Sequence, residues 1–174
     1  MKIVIPMAGR GVRTSNFPVP KPLIKFGNKT MIEMAVETLD IDGEYIFIQR
    51  DYQTPEWNAE LEAATIRAVP DAKIIRINYV TDGPACSALL AYPLIKETES
   101  DGLIITNCDQ IMRWDSSKFI EFATNPNPLT GRLTAGCVVT YPNDTPKNSY
   151  VKVNNNGCAV KFAEKEAISP HSLN

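Results

Sequence analysis

Apolar residues along this chain arrive in short blocks, and the spacing inside the blocks switches between strand-like runs and helix-like periodicity. Lys2 to Met7 is a β-branched run closed by glycine, which predicts a first strand covered on both faces, where alternation is not required. After a Gly27-Asn28 turn, Thr30 and Glu33 stand at capping-box spacing. Ile32, Ala35, Val36 and Leu39 then share one helical face. Glu44 to Gln49 predicts a second strand, Thr54-Pro55 the start of a helix reaching about Val69, and Lys73 to Tyr79 a third strand. A third helix is expected from near Pro84 to Ile95, then a strand from Leu103 to Thr106, a helix around Ser117 to Ala123, and a strand from Leu133 to Thr140. Tyr150 to Val153 and Cys158 to Ala163 flank Asn154-Asn155-Asn156-Gly157, whose Asn-Gly pair suits a tight hairpin. Ile168 to Leu173 reads as the approach to a further strand.

Repeated alternation of strand and helix predicts an α/β fold with a mostly parallel sheet and an antiparallel hairpin added near the end. At 174 residues, with 44% hydrophobic and 22% charged positions, one domain spanning residues 1–174 is the expectation. A formal net charge of −2, with its 18 Lys and Arg dispersed, gives no footprint for nucleic acid. Cys86, Cys108, Cys137 and Cys158 are too widely spaced for a C-x-x-C pair, and His171 is the lone imidazole, so reduced structural thiols are expected. The first apolar run is too short for a signal-peptide core and no stretch reaches membrane-helix length, so no membrane partner and a cytoplasmic location are expected.

The chemistry concentrates in Gly9-Arg10-Gly11-Val12-Arg13 followed by Pro20-Lys21-Pro22-Leu23, placed after a first strand where open α/β sheets bind ligands. Glycines let a backbone approach phosphate oxygens, while an arginine fork and a lysine point charge neutralise charge built up between phosphates. The loop is not a Walker motif, because no Gly-Lys-Ser/Thr follows, and Thr14 stands where a dinucleotide fingerprint needs its third glycine. A second station is Thr106-Asn107-Cys108-Asp109-Gln110, which puts the Asp109 carboxylate past an apolar strand on the same sheet edge. Asp109 suits a magnesium ion shared with a triphosphate; the alternative is a strand-end aspartate closing a turn.

Met7-Ala8-Gly9-Arg10-Gly11-Val12-Arg13 with Pro20-Lys21-Pro22-Leu23 resembles the signature of the sugar-phosphate nucleotidyltransferases, also called nucleoside-diphosphate-sugar pyrophosphorylases. The resemblance implies a Rossmann-like three-layer α/β/α sandwich and a magnesium-dependent transferase. It makes Arg13 and Lys21 catalytic, gripping the triphosphate, with Ala8, Gly9 and Gly11 contributing to the nucleotide site. Thr81-Asp82-Gly83-Pro84-Ala85 resembles the family segment on the nucleobase, assigning Thr81 and Gly83 there; Asp82 as a plain helix cap is the competing reading. Tyr150 to Lys165 resembles the family hairpin that ends in Glu-Lys, so Glu164 and Lys165 are implied to bind the acceptor, against an ordinary exposed ion pair. The resemblance also places the metal ligand on Asp109.

The family usually carries a second metal-binding aspartate beyond a later glycine-rich strand, and the sequence ends at Asn174 before that point. The expectation is therefore a catalytic domain truncated relative to the family, or one with an incomplete metal site. The implied reaction transfers a nucleoside monophosphate from a nucleoside triphosphate to a sugar 1-phosphate, releasing pyrophosphate, in the supply of precursors for glycan or capsule synthesis. Cytidylyl transfer to phosphocholine or another small phosphate, and nucleotide binding without turnover, stay open beside it. Sugar-nucleotide-dependent glycosyltransferases rank behind, because Asn107-Cys108-Asp109 has only the last acid of an Asp-x-Asp motif. The base, the acceptor and the oligomeric state, a homo-oligomer included, are not written in the sequence.

Overall fold

The apolar run after Met1 becomes β1 (Lys2–Pro6) in the computed structural model, which describes residues 1–9, 14, 16–96, 102–127 and 131–173. These fall into two compact units, Met1–Trp114 and Asp115–Asn174.

In the first unit a 3-10 turn at Lys21–Leu23 leads into a small hairpin, β2 (Lys25–Phe26) and β3 (Lys29–Thr30). Gly27 takes the left-handed conformation that reverses the chain between them. Then follow α1 (Met31–Leu39), β4 (Glu44–Arg50), α2 (Pro55–Ala68), β5 (Lys73–Ile77), α3 (Pro84–Leu89), α4 (Tyr92–Ile95) and β6 (Leu103–Ile105). The central sheet has the order β5-β4-β1-β6 and every pairing is parallel. Both of its faces are covered. Val4, Ala8, Ile46, Ile48 and Ile77 form a buried cluster with Ala88 and Ala91 of the α3 region. Gln49 reaches out of β4 to donate Nε2 to Thr65 Oγ1 of α2 at 2.9 Å. Full burial of Ile3, Ile46, Phe47 and Ile48 contributes about 1.5–3 kcal/mol per side chain. That explains why these strands read as continuous apolar runs.

The capping box of α1 forms as expected. Thr30 N–H and Thr30 Oγ1 donate to Glu33 Oε2 at 2.8 and 2.6 Å, and Glu33 N–H returns to Thr30 Oγ1 at 3.4 Å. Arg67 Nε on α2 donates to the other oxygen, Glu33 Oε1, at 2.9 Å. The Arg67 hydrogen bond, with those from Thr30, outweighs burial and holds the Glu33 carboxyl down to about 2 from its ordinary 4.5. A carboxylate depressed in the folded state stabilises fully above its unfolded value and loses that contribution as pH falls through the folded one. Thermal midpoints of wild type and Glu33→Gln are therefore expected to differ most above pH 4.5 and to converge towards pH 2. A gap that stays constant across this range would refute the linkage.

Several expected boundaries move. The single helix from Pro84 to Ile95 is split in two: Pro93 has no N–H to donate and its ring would clash with the preceding turn. β5 stops at Ile77, where its register partner Arg50 ends β4. Thr54 precedes α2 but makes no side-chain cap bond; Pro55 at the first turn sets the helix start instead.

The second unit holds α5 (Ser116–Thr124), capped by Asp115, whose Oδ1 accepts from Lys118 N–H at 3.1 Å. It also holds β7 (Thr140–Pro142), β8 (Ser149–Val153), β9 (Ala159–Glu164) and β10 (His171–Leu173). They form an antiparallel sheet of order β7-β10-β8-β9. The hairpin of β8 and β9 lies where the pattern put it, though Gly157 alone takes positive φ. Asn154 Oδ1 braces the loop by accepting from Asn156 and Cys158 N–H, each at 3.0 Å. The strand expected over Leu133 to Thr140 does not form. Leu133 makes one isolated bridge to Pro126, Leu133 and Val138 are exposed, and pairing begins only at Thr140, where β10 supplies a partner.

Candidate nucleotide site

β1 lies between β4 and β6, so the chain leaves it to one side for β4 and β5 and later returns to the other side for β6. Such a reversal of strand order opens a crevice at the carboxyl ends, the usual place for a ligand on an open α/β sheet. Three segments border it: Met7 to Gly9 after β1, Asn107 to Asp109 after β6, and the turn carrying Lys21.

The turn is placed by local chemistry. Pro20 and Pro22 fix their own φ, Leu23 N–H donates to Pro20 C=O at 2.8 Å, and buried Pro22 and Leu23 anchor it. Lys21 is left partly exposed, and its Nζ forms an ion pair with Asp109 Oδ2. The turn after β6 is closed not by Asp109 but by Gln110, whose Oε1 accepts from Thr106 Oγ1 at 3.3 Å. The aspartate is thereby free to face the lysine. Cys108 between them is buried, and desolvation with the neighbouring Asp109 charge pushes its thiol up to about 12. It stays protonated at neutral pH and fills space rather than acting as a nucleophile.

A cavity of about 330 Å³ extends from this pair, lined by Met7, Gly9, Thr14, Phe17, Pro20, Lys21, Arg50, Tyr52, Trp57, Asn107 and Asp109 among others. A second, of about 500 Å³, is lined by Ala8, Gly9, Thr81, Asp82, Gly83 and Ser87. The two share Pro6 and Gly9. Among the described residues a Cβ on either Gly9 or Gly83 would meet nothing within 4 Å, so neither glycine is crowded by them. Thr81 Oγ1 donates to Gly83 C=O at 3.1 Å and lies 2.6 Å from Ser87 Oγ, which fixes the approach to α3. Asp82 is not the cap: the N-cap is Gly83, with no side-chain cap bond.

Of the residues singled out in the sequence, Ala8, Gly9, Lys21, Thr81, Gly83 and Asp109 thus border these two adjoining cavities. Gly11 and Arg13 lie outside the described residues. Glu164 ends β9 in the second unit and Lys165 follows it; Glu164 Oε2 accepts from Ser149 Oγ and Lys165 N–H donates to Asn148 C=O at 3.0 Å. Lys165 adopts φ 55°, the left-handed region a side chain rarely enters, and lies 3.6 Å from Glu164 Oε1 with both side chains largely exposed. Arg50, Tyr52 and Trp57 were not foreseen. Their signal was available: Arg50 is the last residue of β4 and so stands on the ligand edge of the sheet.

Asp109 is a single carboxylate, and among the described residues no cluster of three or more His, Cys, Asp or Glu converges. That donor set fits magnesium, which takes one or two carboxylates and completes its shell with phosphate oxygens and water. No helix among the described residues is long and apolar enough to cross a membrane.

A parallel sheet with cavities at its switch point, covered by helices and followed by an antiparallel sheet, is the Rossmann-like fold of the nucleotidyltransferases. The chain belongs to the nucleotidyl transferase family, whose model matches residues 6–172. No curated protein matches it in sequence. Solved structures share the fold. A protein described as a glucose-1-phosphate thymidylyltransferase from Bacillus anthracis aligns with TM-score 0.71 and 18% identity, over 99% of this chain and 68% of that one. The inositol-1-phosphate CTP transferase from T. maritima gives 0.63 and 16%, over 99% and 67%. A UDP-glucose pyrophosphorylase complexed with UDP-glucose gives 0.60 and 13%, over 99% and 73%.

Proposed function

We propose that this protein transfers a nucleoside monophosphate from a nucleoside triphosphate to a sugar 1-phosphate or a comparable small phosphate, releasing pyrophosphate. The observation that carries this reading is the Lys21–Asp109 pair bordering the cavity that begins at Gly9. A phosphate oxygen of the acceptor attacks the α-phosphorus, a new P–O bond forms, and the bond to the β-phosphate oxygen breaks. Lys21 neutralises charge on the reacting phosphates, Arg13 shares that role by family resemblance, and Asp109 would hold a magnesium ion through its carboxylate. Magnesium held there would supply electrostatic stabilisation of the phosphate oxygens. The acceptor phosphate is already ionised near neutral pH, so no general base is required. In this reading the cavity at Thr81 and Gly83 takes the nucleobase, and Glu164 with Lys165 takes the acceptor. The product class is an activated precursor for glycan synthesis.

Neighbours of this fold include one described as acting on glucose 1-phosphate and one on inositol 1-phosphate, so the acceptor panel spans both kinds. The decisive assay measures pyrophosphate release from each common triphosphate with magnesium and a panel of sugar 1-phosphates, inositol 1-phosphate and phosphocholine. One triphosphate paired with a sugar 1-phosphate is expected to turn over. Release only with phosphocholine or inositol phosphate would overturn the sugar assignment. Thermal stabilisation by a triphosphate with no release from any pair would leave a binding module instead.

A further inference from the structure

Arg50 carries the strongest unassigned feature of the molecule. Its guanidinium carbon stands 4.8 Å from the centre of the Tyr52 ring. Tyr52 meets Trp57 edge-on at 5.9 Å with the ring planes at 82°. The Tyr52 backbone is held at both ends by one side chain: its N–H donates to Asn58 Oδ1 at 2.8 Å and its C=O accepts from Asn58 Nδ2 at 2.9 Å. A short loop between β4 and α2 is thus locked so that an aromatic plate supports an arginine.

The pairing of charges points the same way. Lys2, Lys29, Arg67, Lys73 and Arg76 of this unit all pair with carboxylates. Among the described residues no carboxylate pairs with Arg50. It lines the same cavity as Lys21, whose described lining contains Asp109 as its single acid. Two cations against one carboxylate leave a positive excess. The guanidinium that lies over the Tyr52 ring carries five N–H donors in a planar fork, more than one ring can use, and that fork is the group that grips phosphate bidentately.

We propose that Arg50, braced on Tyr52 and Trp57, is the clamp for the outermost phosphates of the bound triphosphate and for the pyrophosphate they become. This rests on the nucleotidyl-transfer reading above. In that reading Lys21, held by Asp109, serves the reacting phosphorus. Arg50 enters the cavity from β4, on the opposite side of β1 from β6, and is the second cation of its described lining, available for the polyphosphate tail.

Calorimetric titration of the full chain with inorganic tripolyphosphate, with a nucleoside triphosphate and with its monophosphate tests the clamp. Arg50→Gln is expected to weaken tripolyphosphate and triphosphate binding by about tenfold or more, as for loss of a charge-assisted contact, with monophosphate affinity unchanged. Arg50→Lys should fall between, keeping the charge but not the fork or the stack. Unfolding midpoints of both variants close to wild type confirm that the site, not the fold, has changed. Equal tripolyphosphate binding by wild type and Arg50→Gln overturns the proposal, as does an equal loss of monophosphate and triphosphate binding. A wild type that binds tripolyphosphate through Arg50 yet releases no pyrophosphate with any acceptor keeps the clamp and removes the transfer reading. The two failures are therefore distinct.

Discussion

Lys21→Ala is expected to lower turnover by about 10²- to 10³-fold, the loss typical of removing one group aimed at charge that develops in a transition state. Lys21 is suited to that role because the flanking prolines fix the turn that carries it and Asp109 holds its ammonium at the cavity wall. Little stability should be lost. Both side chains of the pair are about one-third exposed, and such ion pairs contribute only about 0–1 kcal/mol. Steady-state pyrophosphate release, measured beside thermal unfolding, checks both halves. Near-normal release by the variant would remove Lys21 from the chemistry; a collapse in thermal midpoint would make its role architectural.

Asp109→Asn is expected to reduce turnover by about 10²-fold or more, because losing a metal's charge stabilisation is worth several kcal/mol. The substitution keeps the size of the side chain and removes the charge, and Gln110 rather than Asp109 closes the turn after β6, so the local fold should persist. Magnesium titration separates two roles for the carboxylate. As a magnesium ligand its loss raises the magnesium concentration needed for half-maximal rate. As a holder of Lys21 alone, it would lower the rate at every magnesium concentration with the half-point unchanged, and that result would refute the assignment.

The central strands were legible because burial on both faces leaves continuous apolar runs, as in Ile3, Val4 and Ile5 of β1 or Ile46, Phe47 and Ile48 of β4. Helix α1 announced itself through Thr30, Glu33 and its apolar face, since capping and periodicity are local. Failures fell where the outcome depended on something distant. Leu133 to Thr140 has the composition of a strand, but a strand needs a hydrogen-bonded neighbour, and β10 meets it only from Thr140 onward. The break at Pro93 was a local signal outweighed by the apolar run around it.

The candidate site divides the same way. The glycines, Lys21 and Asp109 could be named from motif and strand-end position, because each motif is short and its chemistry depends on residue type. That Lys21 pairs with Asp109 across 88 positions of chain, read as 109 minus 21, was fixed only by placing β6 beside β1. Arg50 had no motif to announce it, being one charged residue at the end of one apolar run. It became a candidate when β4 was set on the other side of β1 and the Tyr52 ring was brought beneath its guanidinium. The sequence by itself determined the family and the parallel strands, and it named the glycine loop as the candidate for binding phosphate, all from neighbouring residues. The tertiary structure alone decided which charges share a cavity, because that depends on strand order, which no local pattern encodes.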